Sequence, residues 1–306
     1  DGFYRVNQQD ISRFLDLQLS ASQKIGDRHL FRAGGSYVVN SFQQPDRKIM
    51  FGAQTANPNE LLVSYGGNNL IRQYLDVNGK NYFSAYGEYI LNLGNKGDRK
   101  EYPIQLTLGY NGFADIRNTS YRFIFSKNDG SSAGNIINID KPQAAMETAI
   151  QNGLFHYSEG STADYRNNLY QFVNAGYATI NLKPSDAWDI LLGLRTENNM
   201  NITRYKEVGM LQERPMINET RNQTYFLPSL SVKRMINAKS NIRFAASKTI
   251  TRPILIEYMP IVYINPNNQN VVGNLTLSNS ENYNLDLKYE IFPTNKEMFA
   301  VNLFAK

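Results

Sequence analysis

The sequence predicts an all-β protein: an antiparallel transmembrane β-barrel with short periplasmic turns at one rim and long extracellular loops at the other. Three observations predict it. Apolar and polar residues alternate strictly in several separate segments. No stretch approaches the roughly 18 consecutive apolar residues of a membrane helix; the longest apolar runs, such as Ile190–Leu194, are far shorter. Links between the alternating segments switch without exception between tight, turn-rich pieces and long ones.

The first segment sets Leu15, Leu17, Leu19 and Ala21 against Asp16, Gln18, Ser20 and Ser22. Such a strand has one apolar and one wet face. Weaker copies follow at Phe31–Val39 and Phe83–Leu91, then a strict one at Ile104–Tyr110. Over residues 170–182 both parities are mixed, so a strand is expected there without an assigned outward face. Trp188–Thr196, Phe226–Val232 and Ile242–Ala246 come next. The clearest alternation is Tyr283, Leu285, Leu287, Tyr289 and Ile291 against Asn284, Asp286, Lys288 and Glu290; Phe299–Leu303 completes ten strands. The tight links fall at Gly26–Asp27, 94–98, Pro184–Ala187, Asn237–Lys239 and 293–296, and the long ones at 41–79, 114–164, 199–221 and 253–279. That asymmetry puts the turns at one end and the long loops at the other, with strands of about ten residues, as a membrane barrel requires. A soluble sandwich or propeller also alternates, but its apolar face turns inward; periodicity leaves that alternative open, and no blade-length repeat favours a propeller.

Composition narrows the chemistry. The chain has no Cys and only two His, His29 and His156, which removes disulfide scaffolds and Cys-ligated metal centres. Its 20 Tyr and 16 Phe against one Trp suit half-buried pleated surfaces. The net charge of +5 is spread singly among acidic residues, without the basic run of a nucleic-acid binder. Neither His has a framed neighbour in the expected strands, so no catalytic residue is assigned, and no metal or cofactor site is expected. Asp140, Glu147 and Glu159 read as solvated loop carboxylates.

Ser247-Lys248-Thr249-Ile250-Thr251-Arg252-Pro253, then Glu257-Tyr258-Met259-Pro260, Val271-Val272-Gly273-Asn274-Leu275 and Asn282–Glu290 resemble the barrel of TonB-dependent outer-membrane receptors of the kind abundant in Bacteroidetes. Leu192-Gly193-Leu194-Arg195-Thr196-Glu197 and Phe226-Leu227-Pro228-Ser229-Leu230 resemble two further strands of that family. The resemblance covers roughly residues 165–306 and departs from the family at Leu275 and Ile254, where a proline and an aromatic are usual. It implies an importer with a barrel of roughly 22 strands closed by a plug. This chain, residues 1–306, would then be a partial barrel domain without the plug. The implied partners are outer-membrane lipid, the protein's own plug, the TonB inner-membrane energising complex, a surface lipoprotein and a small or oligomeric solute of siderophore, glycan or peptide class. A passive pore or adhesin barrel remains the alternative. The motif positions so marked are Arg252, Pro253, Glu257, Pro260, Gly273 and Asn274.

By alternation alone, Arg195, Glu197, Arg243, Asp286, Lys288 and Glu290 face the lumen, where charge meets water, plug or solute instead of lipid. Aromatic- and amide-rich loop pieces, 65–74, 121–125 and 258–263, are expected to supply solute contacts.

Overall fold

The computed structural model describes residues 2–64, 70–97, 101–129, 135–160, 166–206, 215–258, 262–264, 269–294 and 296–306. The strands are β1 (Gly2–Asn7), β2 (Ile11–Ile25), β3 (His29–Gln54), β4 (Glu60–Val63), β5 (Leu70–Leu93), β6 (Ile104–Asn128) and β7 (Asn135–Asn138), followed by helix α1 (Pro142–Gln151). Then come β8 (Phe155–Glu159), β9 (Arg166–Leu182), β10 (Trp188–Tyr205), β11 (Ile217–Asn237), β12 (Ser240–Thr251), helix α2 (Leu255–Tyr258), β13 (Val262–Ile264), β14 (Asn270–Val272), β15 (Ser280–Ile291) and β16 (Phe299–Ala305). All ten segments expected from alternation lie within strands, and they form one antiparallel meander in the order β2-β3-β5-β6-β9-β10-β11-β12-β15-β16. Among the described residues, β2 and β16 each pair on one side only, so the sheet is open at both edges.

The ladder shows why the alternation was so regular. One rung crosses every strand of the meander through Ile25, His29, Leu91, Leu106, Ile180, Leu192, Leu230, Ala246, Leu285 and Ala305. The parallel rung through Leu93, Ile104, Leu182, Ile190, Val232, Phe244, Leu287 and Leu303 repeats it. Directly paired residues share a face, so these rungs make one apolar surface, on which Leu108, Leu194 and Leu285 stay more than half exposed. The register also assigns the face left open for residues 170–182. Ala178, Ile180 and Leu182 stand opposite Leu108, Leu106 and Ile104 and take the apolar side, while Val173, Ala175 and Tyr177 take the other. At the turn rim, Gly26 adopts φ 60°, a left-handed conformation natural to glycine, and closes the β2–β3 hairpin. On the same rim the Arg234 guanidinium lies 5.0 Å over the Trp188 ring, an aromatic and a snorkelling cation side by side at the border of the apolar band.

Two expectations fail at the opposite rim. Within the meander, uniform strands of about ten residues are replaced by strands from 7 to 26 residues long, and much of the segments expected as long loops is folded. β3 runs on to Gln54, β5 begins at Leu70, β6 reaches Asn128 and β10 reaches Tyr205. Beyond the apolar band both faces meet polar surroundings, so side-chain alternation lapses while the backbone ladder continues. The remaining loop pieces, β4, β7, α1 and β8, pack into a cap with its own core of Met50, Leu61, Val63, Leu70, Ile137, Ala149 and Phe155. α1 begins on Pro142, whose fixed φ and missing N–H suit a first turn. At the cap's base Arg72 binds Asp46 at 2.7 Å and stacks 5.8 Å over the Tyr157 ring. The carboxylates read as solvated are partly engaged: Glu159 pairs with Arg122 at 2.6 Å, and Glu147 accepts from Gln143 at 3.0 Å.

Two outcomes follow. Leu287→Arg puts a charge on the apolar face and should destabilise the folded protein in lipid vesicles by about 2–4 kcal/mol at mid-depth, whereas Lys288→Leu on the other face should cost much less; urea titration in vesicles reads both. Partial burial alone would raise the Asp46 pKa, but hydrogen bonds and charge from Arg72 and Lys48 outweigh it and hold Asp46 below its ordinary value. A lowered carboxyl pKa means stabilisation complete above the unfolded value and lost as pH falls through the folded one. Hydrogen exchange at the base of the cap should therefore loosen only below about pH 4, and Asp46→Asn should abolish that step.

Candidate functional site

The face opposite the apolar rungs carries the charged and amide side chains. One rung of it runs through Arg32, Glu88, Gly109, Tyr177 and Arg195, on β3, β5, β6, β9 and β10. Arg32 pairs with Glu88 at 3.1 Å, and the Tyr177 hydroxyl donates to the other Glu88 oxygen at 2.8 Å. Tyr177 reaches β5 only by lying flat across β6, and Gly109 makes that crossing possible: a Cβ there would overlap the Tyr177 ring. The next rung holds Asn111, Ala175 and Glu197. Arg195 joins the two rungs, donating to Asn111 at 3.2 Å and to Glu197 at 2.9 Å. Glu197, with its side chain only 5% exposed, also takes Arg252, which stacks 5.8 Å over Phe113 of β6. A buried carboxylate held by two guanidiniums is compensated; removing either cation would leave it less so.

Five of the six residues expected to face the lumen fall into two groups, and Asp286 stands apart. Arg195 and Glu197 belong to the network just described. Arg243, Lys288 and Glu290 form a second group nearer the turn rim, where Glu290 binds Arg243 at 3.1 Å and Lys288 at 2.7 Å. Lys233, Arg243 and Lys288 stand side by side on one rung. Three adjacent like charges repel, and Glu290 offsets two of them. Asp286 is exposed on β15 and makes no ion pair among the described residues. Sequence reasoning missed Arg32, Glu88, Asn111 and Tyr177; the available signal was a glycine, Gly109, on the polar parity of an otherwise regular strand.

Of the motif positions, Arg252 carries the ion pair to Glu197. Glu257 in α2 accepts from the Ile254 backbone N–H at 2.8 Å, and its carbonyl takes the Asn274 N–H at 2.6 Å. Asn274 in turn receives the Thr276 N–H at 2.8 Å, and Gly273 directly follows β14. Pro253 lies against the polar face beside Ile254 and Tyr258; Pro260 lies outside the described residues. Arg221 donates to the Leu277 carbonyl at 2.6 Å. The described parts of the β12–β15 link thus fold back over the polar face as a strap, with Arg252 at one end and Leu277 near the other.

Both histidines have the orienting neighbour that the sequence did not reveal. His29 Nδ1 lies 2.7 Å from the Tyr89 hydroxyl, and His156 pairs with Asp129. Pairing across strands brought them together, 60 and 27 residues apart in sequence. Among the described residues no group of three or more His, Cys, Asp or Glu could hold a metal ion. Of the aromatic pieces expected to touch solute, 65–69 and 259–261 lie outside the described residues, and Tyr121 is only 4% exposed, turned into protein. The arrangement is held together by ion pairs and amides. In urea titration of the folded protein, Gly109→Ala should cost about 1–3 kcal/mol by overpacking, and most of that cost should vanish in a Tyr177→Ala background.

Known proteins bear on this geometry. No curated protein matches the chain. Among solved structures, the siderophore receptor PiuA from Acinetobacter baumannii superposes with a TM-score of 0.55 at 8% identity, over 97% of this chain and 40% of PiuA. The ferric yersiniabactin uptake receptor FyuA from Yersinia pestis gives 0.39 at 11% identity, over 98% of this chain and 48% of that one. The copper transporter OprC gives 0.37 at 12%, over 99% and 53%. The likeness to PiuA is one of fold, and the chain spans 40% of that receptor's length. The family model described as the outer membrane protein beta-barrel family matches residues 118–306, well over half of the sequence. With its antiparallel meander, its apolar rungs and that match, this outer-membrane chain belongs to the outer membrane protein beta-barrel family.

Proposed function

We propose that the chain forms part of the wall of a plugged, energy-coupled outer-membrane importer, a TonB-dependent receptor of the kind abundant in Bacteroidetes, with a transport role and no catalytic one. The observation that carries this reading is the sheet itself: ten long strands whose two edges, β2 and β16, are unpaired among the described residues. Unpaired ladders in hydrocarbon are untenable, so both edges pair with further strands in the assembled barrel. Porin-sized barrels of roughly 16–18 strands leave an open channel, whereas barrels of roughly 22 strands, the size the resemblance implies, hold a plugged lumen. In this reading residues 1–306 are a partial barrel domain, and Arg195, Glu197, Arg243, Asp286, Lys288 and Glu290 face the lumen, holding plug and wall through ion pairs and waters. The cargo in this reading is a scarce solute of siderophore, glycan or peptide class, as the sequence resemblance implies; the fold shared with a siderophore receptor is in keeping with the first of these. The plug, the TonB inner-membrane complex, a surface lipoprotein and outer-membrane lipid complete the partners.

The test is uptake by cells carrying the whole protein, offered ferric siderophores, maltooligosaccharides and short peptides. At least one probe should accumulate only when the protein is present, and accumulation should fall to background when a protonophore collapses the inner-membrane potential. Uptake insensitive to the protonophore would establish a passive pore instead.

A further inference from the structure

Beneath the strap lies a cavity of about 230 Å³, bounded by β6, β9, β10 and β11 on one side and by the strap on the other. We propose that this cavity is a solute subsite that takes a neutral, hydroxyl-bearing ring the size of one sugar unit. Its role rests on the importer reading, but its chemistry is argued from the walls.

The floor is two rungs of the polar face. Asp115, Gln171, Asn201 and Arg221 form one, and Arg117, Leu169, Thr203 and Glu219 the other. Its charges are already matched within the wall. Asp115 binds Arg117 at 2.7 Å; Arg221 stands 3.8 Å from Glu219 and donates to the Leu277 carbonyl. An ion entering the cavity would find no unpaired opposite charge, and an unpaired buried charge is costly. What remains free is neutral. Among the described residues the Asn201 Oδ1 is buried without a hydrogen-bond partner, and neither the Thr203 hydroxyl nor the Gln171 amide has one. A buried amide oxygen left unsatisfied is costly, and with the Thr203 hydroxyl and the Gln171 amide in the same floor the wall suits a guest that both donates and accepts.

The roof differs in kind: Pro253, Ile254 and Leu275 are apolar, and Tyr258 offers a ring. A guest that fits is two-sided, with hydroxyls toward the strands and C–H surface toward the strap. A sugar ring has that distribution; an aliphatic ligand lacks the first side, and a compact ion lacks the second. The volume agrees, since it equals roughly eight water volumes at about 30 Å³ each and falls below the roughly 300 Å³ of sites for drug-sized ligands.

This sequence has no cysteine, so once any cysteine elsewhere in the whole protein is replaced by serine, a single introduced thiol is a local reporter. In the purified whole protein, Leu169→Cys places a thiol in the floor without removing a polar group, and Leu275→Cys places one in the roof should the first variant fold poorly. Reaction with methyl methanethiosulfonate should slow several-fold in D-glucose and stay unchanged in equal L-alanine or D-gluconate, and adding Asn201→Ala should remove the protection. Protection by the zwitterion or the anion as strong as that by glucose, or no protection with either reporter, would overturn the proposal. Because the readout needs no transport, protection without energised uptake rejects the importer reading alone, and energised uptake without protection rejects this subsite alone.

Discussion

Hydrocarbon offers a peptide group nothing to bond with, and that constraint organises this molecule. Every strand of the meander must hand its N–H and C=O groups to a neighbour through the apolar band, which fixes antiparallel pairing, hairpin turns at one rim and a register that holds from β2 to β16. With the register set, side chains have no choice of face: the leucines and isoleucines of the two apolar rungs line up on one side, and Arg195, Glu197, Arg243 and Glu290 on the other.

The polar side then faces its own problem, because charges gathered on one surface must be matched. Local pairing along a strand, as between Arg195 and Glu197, settles part of it. The rest is settled across strands by long side chains, Tyr177 over Gly109 and Arg252 against Glu197. Glycine here is a clearance, and the tyrosine that uses it restores the packing that a glycine in a strand would otherwise forfeit. The strap extends the same logic, since a loop rich in polar groups gains most where a charged wall can receive it.

The sequence made this architecture legible wherever one face met lipid. Leu285, Leu287 and Tyr289 announce their strand because each alternate position has a different solvent. The face of residues 170–182 could not be read, because Gly176 and Ala178 on one side and Ala175 and Val173 on the other are too alike in character; only pairing with Ile104, Leu106 and Leu108 separates them. Strand length was illegible for a related reason: Asn198, Asn199, Asn201 and Thr203 carry a ladder without a pattern. In the candidate site, Arg195, Glu197, Arg243 and Glu290 could be named from parity, whereas the contacts that Arg195 makes with Asn111 and Glu197 with Arg252 arise only through folding. The histidines teach the same lesson, since a residue without a framed neighbour in sequence can acquire one from the adjacent strand.

The cap at the wide rim draws its core from distant stretches: Met50 and Leu61 come from one excursion of the chain, Ile137 and Phe155 from another. Neither excursion buries these apolar residues alone, so the core of the lobe closes only when both are in place. Shortening or lengthening one excursion would strand the other, and natural variation at this outer surface should proceed by paired changes in both.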